Sequence, residues 1–95
     1  MATLLDAVTS DTTGTGASHS GPCTVMVHGD SVFDGAQVLI EIANTDTAAD
    51  YAPIGREGYF KQPGSFNCQG QGTYYLRAVL RDAGTNTSVT CVTTQ

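Results

Sequence analysis

Asp34 to Ala43 reads DGAQVLIEIA, and this stretch decides the fold. A Gly-containing turn gives way to Gln37, Val38, Leu39, Ile40, Glu41 and Ile42. Apolar and polar residues alternate. Successive side chains of a strand point to opposite faces, so Val38, Ile40 and Ile42 share one face and meet a core. Leu39 breaks the pattern, placing an apolar residue on the other face. Thr73 to Asp82, TYYLRAVLRD, repeats the design. Tyr74, Leu76, Ala78 and Leu80 share one face. Tyr75, Arg77, Val79 and Arg81 share the other. Two strands of this kind predict an all-β domain with outward faces stickier than solubility requires.

Composition agrees. The chain has 95 residues, enough for one core. Only 14% of residues are charged, and the net charge is −5 with four basic residues. Binding a nucleic-acid backbone needs clustered Lys and Arg, so no nucleic-acid partner is expected, nor an anionic membrane surface. No apolar run reaches the ~20 residues of a spanning helix, and MATLLDAV lacks the charge and apolar length of a signal peptide. Synthesis in the cytoplasm is the expectation. Cys23, Cys68 and Cys91 are odd in number and lack C-x-x-C spacing, so neither zinc nor a redox motif is indicated. Cys23 shares parity with Val25 and Val27, and Cys91 with Val89. Both read as inward-facing free thiols, though a bridge between them stays open. Cys68, in a Gly/Gln-rich stretch, has no assigned role.

Working outward, residues 2–9 read as a short apolar strand. Residues 10–21, SDTTGTGASHSG, have no apolar anchor and read as a flexible linker or arm. The expected division is therefore an N-terminal strand, arm and linker over 1–21 and a β-sandwich over 22–95. Strands are expected at 22–28, 36–43, 73–82 and 87–93, with a short edge strand near Tyr51–Ile54, since Pro53 lacks a donor. Residues 63–72 read as loop, with Phe66 tucked inward. No useful stretch has a 3.6-residue apolar period, so no substantial helix is expected. Short strands at roughly ten-residue spacing with Gly-rich turns predict a small antiparallel β-sandwich or barrel. Shared parity puts Val25, Val27, Val38, Ile40, Ile42, Leu76, Leu80 and Val89 in its core.

Sites of chemistry are sparse. His19 lies in the linker stretch and His28 near a strand end; neither accompanies a nucleophile elbow. Asp30 with Asp34, and Asp46 with Asp50, flank turns without an EF-hand pattern, and read as turn caps. Gly14-x-Gly16 and Gly70-x-Gly72 lack the strand–helix context of a phosphate cradle. Tyr51, Tyr59, Phe60, Tyr74 and Tyr75 could stack on sugars. The plainer reading puts Tyr74 and one of Tyr59 and Phe60 in the core and the rest at a protein interface. No catalytic, metal or cofactor-binding residue is assigned, no cofactor is expected, and an enzyme is the least supported class.

The series ATLLDAVT (2–9), a Gly/Ser/Thr stretch, VFDGAQVLIEIA (32–43), APIG (52–55) and YYLRAVLRDAGTNTSVT (74–90) resembles small structural proteins of tailed bacteriophages. These are head decoration, or cement, proteins and related β-sandwich virion proteins. The resemblance spans most of the chain and rests on strand and turn patterns. It implies a non-enzymatic protein on the virion capsid surface that binds the major capsid protein and reinforces the shell. It further implies a homo-oligomer, a trimer by family habit. Three cysteines and a long linker depart from that pattern. A carbohydrate- or receptor-binding module on the virion surface, or a small head–tail or tail component, is the alternative.

The candidate oligomer or capsid interface follows from the residues. Leu39, Tyr75 and Val79 lie opposite the expected core. Leu4 and Leu5 sit on an N-terminal strand that either joins its own sheet or adds to a neighbouring subunit or the capsid.

Overall fold

The computed structural model describes residues 2–95. Ten strands form two antiparallel sheets: β1 (Ala2–Val8), β2 (Thr12–Thr13), β3 (Ala17–Ser20), β4 (Cys23–Val27), β5 (Gln37–Ala43), β6 (Ala52–Pro53), β7 (Tyr59–Phe60), β8 (Gly64–Cys68), β9 (Thr73–Arg81) and β10 (Val89–Thr94). One sheet runs β1-β10-β4-β8. The other has β5 and β9 at its centre, with β2 and β3 along the free edge of β9 and β6 and β7 along that of β5. The only helical segments among the described residues are two single 3-10 turns, Ala48–Asp50 and Arg56–Gly58. The fold is all-β and sandwich-like.

The core lies between the sheets and follows the period-two pattern. Val25, Val27, Val38, Ile40, Leu76, Leu80, Val89 and Cys91 are essentially inaccessible. Ile42 is half-buried and packs against this cluster from one end. The Asp34-Gly35 turn that launches β5 has positive φ at both central residues, and the Ala36 amide donates to the Phe33 carbonyl at 2.8 Å. Two positive φ values in succession are the type I′ arrangement, which suits an Asp-Gly pair. The Asp34 carboxylate then accepts the Asn86 amide at 2.9 Å, tying this turn to the loop before β10.

Residues 2–21 depart most from the sequence expectation. Among the described residues they form neither a separate arm nor a linker. β1 pairs with β10 of its own chain, and Leu4 and Leu5 enter the core. Two consecutive inward residues are possible because β1 carries register shifts around Leu5, with Ala7 at φ 48°. The chain then crosses to the second sheet, where Thr12 and Thr13 face Leu80 and Val79, and Ala17 to Ser20 face Leu76 to Thr73. Gly14 marks a close approach. Its amide donates to the Ala78 carbonyl at 2.8 Å, and a Cβ there would lie 2.6 Å from the Leu4 carbonyl oxygen and 2.9 Å from that of Ala78. The N-terminal segment thus supplies one edge to each sheet.

His19 anchors this segment. It is 3% exposed. Its Nδ1 donates to the Ala17 carbonyl at 2.9 Å, since a carbonyl can only accept. Nε2 pairs with the buried Thr93 hydroxyl of β10 at 2.6 Å, and the ring stacks on Tyr74 with centroids 5.7 Å apart. This pairing bridges the sheets. One further expectation changes, and the possible bridge between Cys23 and Cys91 closes. The stretch 63–72 contains strand β8, whose Phe66 and Cys68 point inward. Cys91 lies opposite Val27, whereas Cys23 lies opposite Cys68. Four residues of strand, ~13 Å, separate Val27 from Cys23, so Cys23 and Cys91 cannot bridge.

Candidate functional site

The outward face of the sheet built on β5 and β9 carries the chain's concentration of exposed chemistry. Register sets it out in three rows. Tyr59, Leu39, Val79 and Thr13 form the first. Pro53, Glu41 and Arg77 form the second. Ala43, Tyr75 and Ser18 form the third. Neighbours within a row are directly opposite, which is where cross-strand side chains interact most strongly.

The second and third rows are partly roofed by the loop after β5. Arg77 donates from Nε to Glu41 Oε1 at 2.6 Å, and its guanidinium lies 4.1 Å from the Tyr51 ring centroid. Both partners of the ion pair are mostly screened from water, at 17% and 14% exposure. A guanidinium over an aromatic face gains electrostatically while its N–H donors remain free for the carboxylate. Tyr51 donates to Asp46 Oδ1 at 2.7 Å. Burial, then the Asp46 bond and charge, push the Tyr51 hydroxyl up to about 12. Gly16 leaves room for this phenol and carboxylate, because a Cβ there would strike both. Ala43, in the third row, is buried.

The first row stays more open and ends in a concavity. β6 and β7 pair with β5 on either side of Ile40, and between them the chain bulges through the Arg56–Gly58 turn. The Ile54 amide holds the bulge by donating to the Ile40 carbonyl at 3.1 Å. Leu39, Ile40, Pro53, Gly55, Arg56, Gly58 and Tyr59 line a concavity of about 430 Å³. Tyr59 is 41% exposed, while its neighbour Phe60 is buried. The Tyr59 hydroxyl donates to Gln37 Oε1, and Lys61 Nζ lies 5.7 Å from the ring centroid.

Charge is asymmetric as well. Arg56, Lys61, Arg77 and Arg81 are the four basic residues of the chain. Arg77 and Arg81 belong to β9, and the other two flank β7 at the sheet's edge. The strands of the β1-β10-β4-β8 sheet contain none. An acidic protein therefore gathers its cations on and beside the sheet that carries Tyr59 and Leu39.

Of the residues expected at an interface, Leu39 and Tyr75 are half-buried on this face. Val79 is 4% exposed, between Leu39 and Thr13 in its row. Leu4 and Leu5 belong to the core and are not on the surface of the folded chain. Tyr59, the member of the Tyr59–Phe60 pair left for an interface, and Arg56, which the sequence did not mark as a contact, are the more accessible members. Among the described residues, no group of three or more His, Cys, Asp or Glu is placed to hold a metal ion. None of the helical segments there is long and apolar enough to cross a membrane. No protein-family model, curated protein or solved structure matches the chain.

Proposed function

We propose that this chain is a non-enzymatic structural protein that seats the outward face of its β5–β9 sheet on a larger protein shell. The sequence resemblance points to the outer surface of a tailed-phage capsid, with the major capsid protein as partner and shell reinforcement as the role. The observation that carries the reading is the open row of Tyr59 and Leu39, continued by a 430 Å³ apolar concavity and rimmed by Arg56 and Lys61. Aromatic and Arg side chains around an apolar centre are the usual composition of a protein contact. One such face on a 95-residue domain is modest in area. A homo-oligomer, a trimer by the same resemblance, engages several shell subunits at once and converts weak single contacts into firm attachment.

A second reading has its own observation. Tyr59 stands exposed beside a concavity with Arg56 at its margin, as a ring-stacking sugar site requires. Cosedimentation with expanded empty capsids separates the two. Saturable, stoichiometric pelleting with a raised capsid disruption temperature is the expected result. A protein that stays in the supernatant while binding on a glycan array would overturn the shell reading in favour of the sugar site.

A further inference from the structure

Cys23 and Cys68 stand directly opposite each other where β4 pairs with β8. Both belong to the core cluster, at 6% and 3% exposure. Directly opposite positions of an antiparallel pair have Cα atoms ~4.5 or ~5.5 Å apart, and both distances fall within the range a disulfide spans. Cys91, on β10 opposite Val27 at the far end of β4, is out of reach. The Tyr74 hydroxyl fixes the local geometry, donating to the Gly21 carbonyl at 2.5 Å and approaching Cys23 Sγ at 3.4 Å. An open, polar concavity of about 480 Å³ lies at this end of the sandwich, and Cys23, Thr24, Asn67 and Gln69 are among its lining residues. It offers a small reagent a route to Cys23.

We propose that Cys23 and Cys68 are an oxidisable pair that closes to an intramolecular disulfide by exchange with a small-molecule disulfide of the glutathione class. The Cys23 thiolate attacks one sulfur of the reagent, breaks its S–S bond and releases the first small thiol. The Cys68 thiolate then attacks the Cys23 sulfur of the mixed disulfide, forms the Cys23–Cys68 bond and releases the second. The two cysteines lose two electrons and two protons, and the reagent gains both as two thiols. The bond staples β8, an edge strand, to β4 and closes the chain around β5, β6 and β7. Reduced protein therefore folds first, and oxidation locks it. Burial raises the Cys23 thiol above its ordinary value, with Tyr74 partly offsetting this. The thiolate is the attacking species, so closure is slow at neutral pH and accelerates as pH rises.

The test is incubation of the folded, reduced protein with oxidised glutathione, followed by alkylation in denaturant, intact mass measurement and peptide mapping. Expected is a fall from three alkylatable thiols to one, with Cys91 the survivor. The oxidised protein should melt on the order of 10 °C higher, because a long loop is closed in the unfolded state. Cys68→Ala should instead retain a glutathione adduct on Cys23. If that variant fails to fold, the wild-type peptide map decides alone. Three thiols surviving at mildly alkaline pH, a stable wild-type adduct with Cys68 free, or a bridge that includes Cys91 would each overturn the proposal.

Discussion

Replacing His19 with Ala tests whether residues 10–21 are part of the sandwich. The ring is 3% exposed, stacked on Tyr74 and paired with Thr93, itself 1% exposed. Removing it opens a cavity of aromatic size, for which Phe or Trp to Ala costs about 3–5 kcal/mol; imidazole is smaller, so about 2–3 is apt. The Thr93 hydroxyl also loses its partner in a dry interior, which adds about 1–3 kcal/mol. The combined loss is about 3–6 kcal/mol. A domain of this size has only ~5–14 kcal/mol in hand, so a large share of its stability goes. At ~4–8 °C per kcal/mol, the melting temperature should fall by at least ~12 °C. Circular dichroism melts and urea titrations of His19→Ala measure this, with the exposed neighbour Ser18→Ala as a control expected within ~0.5 kcal/mol. Thr93→Val supplies the third corner of a double-mutant cycle, with a coupling energy above ~0.5 kcal/mol expected. A His19→Ala melt within ~3 °C of wild type would mean that the segment is a solvated tether, and the described packing would be wrong.

Other perturbations reach other parts of the fold. Gly14→Ala pushes a methyl against two backbone carbonyls that no rotamer change can move, and should cost about 1–3 kcal/mol. Gly29→Ala, whose Cβ meets nothing within 4 Å, should be neutral or slightly stabilising in the same denaturation assay. Deleting residues 2–9 strips Leu4 and Leu5 from the core and exposes the edge of β10, so it should abolish cooperative unfolding. A folded deletion protein would contradict the pairing. Alkaline pH should unfold the protein through Cys91, which burial pushes from 9.0 up to about 12. The raised value means that the folded state holds its proton longer than the unfolded state does. Stability from this source is full below pH 9 and is lost as pH rises from 9 towards 12, by about 4 kcal/mol at ~1.36 kcal/mol per pH unit. Melting temperatures across that window should drop steeply in wild type and less in Cys91→Val.

Much of the fold was legible because β4, β5, β9 and β10 alternate strictly enough to show which side chains point inward. Leu39 on the outward side of β5 was visible for the same reason. The segment 10–21 was not legible, because its signals mimic a tether. Gly14 marks a close backbone approach, Gly16 makes room for Tyr51 and Asp46, and the segment's only large inward side chain is a histidine. β8 escaped notice because only Phe66 and Cys68 mark its inward face, too few for a period to show. Leu4 and Leu5 looked like an adhesive arm because no alternation puts adjacent residues on one face; the irregularity near Ala7 does. On the candidate surface, Tyr75 and Leu39 could be placed by parity. The concavity could not, since it comes from β6 and β7 parting around Ile40, and that depends on tertiary pairing.

The central functional claim is that attachment uses the β5–β9 face and not the opposite one. Leu39 and Met26 offer a matched pair, since each is an apolar residue on the outward side of its own sheet, and Met26 is 37% exposed. Saturation binding of Leu39→Glu and Met26→Glu to expanded capsids, each first shown to be folded, tests it most directly. A carboxylate driven into an apolar contact should weaken attachment of Leu39→Glu by at least tenfold, equivalent to about 1.4 kcal/mol, and leave Met26→Glu at wild-type affinity. Wild-type affinity for Leu39→Glu with loss for Met26→Glu would move the attachment surface to the other sheet and contradict the account.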